Sequence, residues 1–417
     1  MPRGMTYTRF VVLGVLAAGC GGGDDDPCEG VSGACIGLAA GATQAEVQTA
    51  LIEIQPGGTV AFGAGTFEFE SDLSLDVDGV TVKGAGRDAT ILSFKDQTVG
   101  AQGMLVTGND FTMQSIALED SPGDALKVLG SQRVTIRDVR VEWTGGPKET
   151  NGAYGLYPVQ CTDVVIEDSI VIAASDAGIY VGQSDRIVVR RNEVHGNVAG
   201  IEIENSSRAD VYENTASQNT GGVLVFNLPD LEVKNGGGTR VFANQIADNN
   251  TVNFAPAGNI VALVPTGTGI ALLAAHDVEI FDNTISDHAS INIGIISYVP
   301  TGIAVTDPTY DQYPTAINIH DNTMTGVSDN PTGPLGALLI SAIGELFPSG
   351  PYIVPDVAWD GVLDPARTPT EADKICIRGN GDADFINLAW PLNDATKPAL
   401  AMAPHDCSHA PLPAVEL

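Results

Sequence analysis

Apolar and polar residues alternate along this chain in a pattern that recurs every 22 residues. Gly178-Ile-Tyr-Val-Gly-Gln183, Gly200-Ile-Glu-Ile-Glu-Asn205 and Gly222-Val-Leu-Val-Phe-Asn227 stand in register. Midway between them, Ile187-Val-Val-Arg-Arg-Asn192 and Ala209-Asp-Val-Tyr-Glu-Asn214 carry a second beat. Within each segment the apolar period is two, the mark of a strand with one buried face. Ile179 and Val181, Ile201 and Ile203, and Val223 and Val225 point one way, as do Val189, Val211, Val241, Ile280 and Ile319 on the next strand. A repeat this short cannot bury its own apolar face, so each copy must stack on the next. Three short strands per turn with right-handed crossovers predict an all-β fold, a right-handed parallel β-helix. Ile203 lies inside the aliphatic columns, so a charge placed there should be severe.

The glycine beat extends through Gly103, Ala125, Gly155, Gly178, Gly200, Gly222, Gly269 and Gly294, with Gly336 a weaker continuation. The asparagine beat runs Asn192, Asn214, Asn244, Asn283, Asn322 and Asn380. Stacked at one turn, these asparagines would hydrogen-bond from coil to coil and tolerate left-handed backbone. Thr43-Gln-Ala-Glu46 is a capping box, and Val47, Ala50, Leu51 and Ile54 follow at helical spacing. A short helix there would cover the open first coil, where bare strand edges invite aggregation. From about Leu346 the beat fades into proline-rich sequence, and Ile375-Cys-Ile-Arg-Gly-Asn380 returns to it. The expected organisation is an export signal over 1–19, a flexible tether over 20–40, the β-helix over 41–345 and an irregular C-terminal cap over 346–417.

The repeats from Gly178 to Asn214 resemble those of the pectate-lyase-like β-helix superfamily. The runs Asn151–Gln160, Ser175–Ser184 and Ala199–Ser206 are similar to a bacterial family of exported β-helix-repeat lipoproteins. The resemblance covers about residues 40 to 415 and implies the fold. For activity it implies the superfamily's range, enzymes that cleave, epimerise or hydrolyse polysaccharides, and that is an inference by analogy.

Ahead of the repeat, Arg3 and Arg9 precede the apolar run Phe10 to Ala18, too short to span a bilayer. Leu16-Ala-Ala-Gly-Cys20 resembles a bacterial lipobox, with Ala17 where Leu is usual. It makes Cys20 the expected lipid attachment, with Gly21 after it favouring the outer membrane. Export permits disulfides. Cys28 with Cys35 and Cys376 with Cys407 are the expected pairs, leaving Cys161 free and buried. The chain carries 20 Lys+Arg against 52 Asp+Glu, a net charge of −32. Such a surface repels nucleic acid, and it disfavours polyanionic substrates unless a basic groove or bound Ca²⁺ intervenes. No zinc or haem spacing occurs, so no metal or cofactor is otherwise implied.

Chemistry is expected on the outward positions of the glycine strands. One column reads Tyr157, Tyr180, Glu202, Leu224 and Ala271, and its neighbour reads Val159, Gly182, Glu204, Phe226 and Leu273. Gln160, Gln183, Asn205 and Asn227 end the same strands. Coils stack about 4.8 Å apart, so Tyr180 and Glu202 should touch, and Glu202 and Glu204 should lie about 7 Å apart. Aromatic rings beside carboxylates suit sugars. That makes Glu202, Glu204 and Arg190 the catalytic candidates, and Tyr157, Tyr180, Gln183, Asn205 and Phe226 the substrate-binding ones. Two solvated glutamates on an exposed sheet would give the same spacing. Insertions at Leu228–Thr239, Val252–Thr268 and Pro300–Thr315 either wall a groove or cover the sheet. The two readings are a monomeric, envelope-anchored protein that binds or modifies a polysaccharide, and a non-catalytic scaffold that binds an envelope protein.

Overall fold

The computed structural model describes residues 26–326, 328–391 and 397–417. The export signal and Cys20 lie outside the described residues. One full coil consists of Ala177–Gly182, Asp185–Arg190 and Glu193–His195. Each strand pairs in parallel with its counterpart one coil on: Ile179 with Ile201 and Ile201 with Val223, Val189 with Val211 and Val211 with Val241. Among the described residues, eleven strands stack in this way in the glycine sheet. The aliphatic columns form one continuous buried core from Leu38 to Phe385. The chain is thus a parallel β-solenoid.

The glycine beat marks positions where the next coil leaves no room for a side chain. A Cβ on Gly200 would lie 2.6 Å from the carbonyl oxygen of Gly222, and one on Gly222 would lie 2.7 Å from that of Gly269. Gly294 does not continue this column. It pairs with Ala271 on the outer face, and the inner position belongs to Asn292. Gly336 is not in a strand at all; it lies in the helix Gly333–Leu346.

The asparagine ladder is continuous. The backbone N–H of Asn192 donates to Oδ1 of Asn214 at 3.0 Å, and Asn214, Asn244, Asn283 and Asn322 each repeat this bond to the next member, ending at Asn380. Left-handed backbone falls on the residue before each asparagine, such as Arg191, Glu213, Ala243 and Asp282. The expectation for the asparagines themselves is therefore corrected. The preceding residue makes the bend, which turns the amide inward to its partners. A second ladder, Asn197–Asn219–Asn249, lines the next corner and ends on His288.

At the N-terminal end, helix Gln44–Glu53 has the expected capping box and buries Val47, Ala50 and Leu51. Its Gln44 and Gln48 side chains accept from Glu70 N and Ser74 N at 2.9 and 3.0 Å, which satisfies the free edge of strand Ser71–Leu75. Cys28 is bonded to Cys35, and strand Cys35–Leu38 pairs with Thr59–Phe62. The solenoid therefore begins inside the segment expected to be tether. It also continues past 345. Val357–Trp359 and Phe385–Asn387 extend the glycine sheet, and Ile375–Arg378 pairs with Thr315–His320. The long excursion containing helix Gly333–Leu346 breaks the spacing and hides these coils from a period count. Cys376 is bonded to Cys407, and Cys161 is free and buried.

Candidate functional site

The outward column of the glycine sheet changes character along the axis. It runs Leu105, Lys127 and Tyr157, then Tyr180, Glu202 and Leu224, then Ala271 and Gly294. From Tyr180 onward this face is covered. Tyr180 is 5% exposed, Glu202 1% and Glu204 7%, so the reading of two solvated glutamates is overturned. The cover is built by the insertions, whose Val261, Val264 and Tyr310 join Tyr180, Leu224, Phe226 and Tyr298 in a second apolar cluster. Polar ties hold it down. Asn259 Nδ2 donates to Asp176 Oδ2 at 3.1 Å, and the Tyr310 hydroxyl donates to the Asn227 carbonyl at 2.7 Å.

Several candidate residues serve this cover. Asn205 Nδ2 donates to the carbonyls of Leu228 and Val233, and its Oδ1 accepts from Leu228 N. Gln183 Oε1 accepts from Glu232 N at 2.9 Å. Both amides fasten the first insertion, and Phe226 is buried beneath the cover. Arg190 lies on a different sheet. It is paired with Glu167 at 2.6 Å and bonded to the Tyr212 hydroxyl at 2.9 Å, so it is not brought to the glutamates. The period-two pattern orients a side chain relative to its own sheet, but it carries no information about what an insertion lays on top.

What does come together is a buried acid cluster. Gly182 pairs with Glu204 across the coils. A Cβ on Gly182 would lie 2.3 Å from the Tyr180 ring. The ring therefore lies over Gly182, and its hydroxyl donates to Glu204 Oε1 at 2.6 Å. Gly182→Ala should displace the ring and leave Glu204 unpartnered, at a cost of about 2 kcal/mol. Thermal unfolding and tyrosine near-UV dichroism would report the change, and an unaltered dichroism spectrum would count against this packing.

Both carboxyl oxygens of Glu202 are buried without a hydrogen-bond partner. Burial, then the charges of Glu204 and Asp176, push its pKa well above the ordinary range. Burial likewise raises Glu204 to about 7, and raises Asp176 to about 7 with Glu204 adding to the effect. Burial also raises Asp124 to about 6. Carboxyl groups poised near neutrality can both give and take protons, which suits acid–base chemistry.

At the uncovered end, Tyr154, Tyr157, Lys127 and Asp124 are half-buried. The ring of Tyr154 stands 4.6 Å from that of Tyr157 and 4.5 Å from that of Tyr180, and Lys127 Nζ lies 4.7 Å from the Tyr157 ring centre. A half-buried aromatic edge thus leads from solvent toward the acids. Among the described residues, no group of three His, Cys, Asp or Glu side chains could hold a metal ion.

Asp124, Tyr154 and Asp176 were not among the sequence candidates. A signal for two of them existed. The residue just before each glycine-beat position is small in the covered coils, Ala177, Ala199 and Gly221, whereas it is Asp124 and Tyr154 in the uncovered ones.

Residues 76–236 match the family described as "Right handed beta helix region". No curated protein matches the chain. Among solved structures, the A-module of mannuronan C-5 epimerase AlgE4 from Azotobacter vinelandii is 21% identical, with 71% of this chain and 87% of that chain covered and a TM-score of 0.49. Endopolygalacturonase I from Stereum purpureum is 16% identical, with 70% and 88% covered and a TM-score of 0.44. Pectate lyase Pel9A is 12% identical, with 73% and 80% covered and a TM-score of 0.45. The stacked coils and the family match agree that residues 76–236 are a right-handed β-helix region.

Proposed function

We propose that this protein binds a polysaccharide along the tyrosine edge and modifies it by lyase- or epimerase-type proton abstraction at the acid cluster. The observation that carries the proposal is Glu202, a buried carboxyl with neither oxygen satisfied. A group in that state is costly unless something else completes its hydrogen bonds. In the proposed reaction Glu204, freed of the Tyr180 hydroxyl, takes the proton from the sugar carbon beside a uronate carboxylate. Glu202, still protonated, donates a hydrogen bond to that carboxylate and stabilises the developing negative charge. Elimination then expels the glycosidic oxygen, which takes its proton from the Tyr180 hydroxyl, whereas delivery of that hydroxyl proton to the opposite face of the carbanion gives the epimer. In both cases Glu204 then passes the proton it abstracted to the tyrosinate, its partner at 2.6 Å in the resting structure. Reaching Glu202 requires the insertion around Asn259 to lift from Asp176.

The proposal places the protein in the cell envelope, as a monomer anchored through Cys20 to the outer membrane. The full chain would be incubated with a panel of uronate polysaccharides, following the absorbance of unsaturated uronate and the exchange of solvent deuterium into the sugar. Activity should fall at least about a hundredfold in Glu202→Gln and Glu204→Gln, and stay unchanged in Arg190→Ala. Activity that survives both glutamine variants would remove the acid cluster from the mechanism.

One observation favours a second reading, a non-catalytic envelope scaffold: the cover fills the face above Glu202. Absence of binding or turnover across the whole panel would select it.

A further inference from the structure

The other sheet of the solenoid carries a pair of columns with a different chemistry. Two residues before successive ladder asparagines stand Tyr212, Phe242, Phe281 and His320, all half-buried. Their rings stack nearly parallel, with centres 4.8, 4.8 and 5.3 Å apart. Beside them runs the column Asp210, Arg240, Glu279 and Asn318. Asp210 is 4% exposed and Glu279 3%. Arg240 donates to both oxygens of Asp210, at 2.7 and 2.5 Å, and His320 Nε2 lies 3.2 Å from Glu279 Oε1. Asn318 Oδ1 is buried without a partner.

The chain's own C-terminal tail lies on these columns. It leaves the Cys376–Cys407 disulfide and runs back along the solenoid. Leu412 N donates to Glu279 Oε2 at 3.0 Å, and Val415 N donates to Asp210 Oδ2 at 3.1 Å. Leu412 and Val415 are half-buried, while Pro411, Pro413, Ala414 and Glu416 are exposed. The spacing is commensurate. Asp210 and Glu279 are two coils apart, about 9.6 Å. Three residues of a polyproline II chain advance about 9.3 Å and complete one turn, so every third N–H and side chain returns to the same face. Pro411 and Pro413 hold the tail near that conformation.

From this geometry we propose that the Asp210–Glu279 groove is a docking site for an extended, proline-containing peptide of a partner protein, and that the C-terminal tail is its resident, displaceable occupant. The ligand carries apolar residues three apart, each with a free backbone N–H. A peptide is favoured over a sugar because the rings stack on one another. Their faces are occupied, and only edges are left for a ligand, whereas sugar stacking needs a face. The site is independent of the acid cluster.

The test compares the full chain with one ending at His409, whose His409 and Cys407 contacts remain, with folding checked by circular dichroism. The probe is a labelled peptide of residues 410–417, followed by fluorescence anisotropy, and a random peptide library is panned on the shortened chain. The shortened chain should bind the probe, and the full chain should bind it roughly tenfold more weakly or worse, because its tethered tail competes. A probe N-methylated at Leu412 and Val415 should not bind. Selected library peptides should share apolar residues spaced by three with nearby proline, and the probe should displace them. The proposal is overturned if the folded, shortened chain binds neither probe nor library peptides. Equal binding by both chains, or an uncompromised N-methylated probe, overturns it too, as does capture of oligosaccharides in place of peptides.

Discussion

Replacing Glu202 and Glu204 together by Gln should make the protein more stable than the wild type at pH 8 and leave it nearly equal at pH 4. The native state holds protons on these carboxyls that the unfolded chain releases. Burial raises Glu204 from 4.5 to about 7 and pushes Glu202 well above its ordinary range. With the folded pKa above the unfolded one, their contribution is fully present below pH 4.5, declines as pH rises, and for Glu204 is lost by about pH 7. The Glu204 shift alone corresponds to about 3 kcal/mol. Gln keeps the size of the side chain and an oxygen to accept from Tyr180, but it has no proton to lose. Urea midpoints measured from pH 4 to pH 8 should therefore fall less steeply in the double variant. Parallel profiles would show that the two glutamates are not buried as described.

The second large effect is expected at Ile203, where Asp should leave little folded protein. Ile203 is 1% exposed and stands between Val181 and Val225 in the aliphatic stack. No cation lies in that column to pair with the new carboxylate. Leaving a charge uncompensated in such a site costs about 3–5 kcal/mol, and lost packing adds to this. Because the strands of each coil pair only with those of the adjacent coils, the damage should begin at the coils around 181–225 and spread outward. Hydrogen exchange on residual folded material would show protection lost there first. Ile203→Val, which removes one methylene, should cost only about 1 kcal/mol. Wild-type stability in Ile203→Asp would refute the assignment of this column to the core.

These two predictions rest on residues of the same strand that were not equally legible in sequence. Ile203 could be placed because its neighbours at 22-residue intervals are all aliphatic, and stacking like on like needs no other information. Glu202 and Glu204 could be assigned to the outer face by the same alternation, but not to burial. Their burial comes from Val261, Val264, Tyr298 and Tyr310, which arrive from segments about 60 to 105 positions away and obey no repeat. Asp176 and Tyr154 complete the cluster from the ends of neighbouring strands. The aromatic ladder of Tyr212, Phe242 and Phe281 was readable, since each stands two places before a ladder asparagine. Its occupant was not readable, because the tail meets Asp210 across more than 200 residues.

The sequence by itself determined the coil: its period, its aliphatic core columns, its close glycine contacts and its asparagine corner. Those features are local and repeated, and each copy specifies the next through backbone pairing. Only the tertiary structure decided which outer faces are covered, where the coils resume after Leu346, and which acids share a site. Those outcomes depend on single, non-repeating segments folding back over a finished solenoid. Their contacts are set by shape and by unsatisfied polar groups rather than by a period.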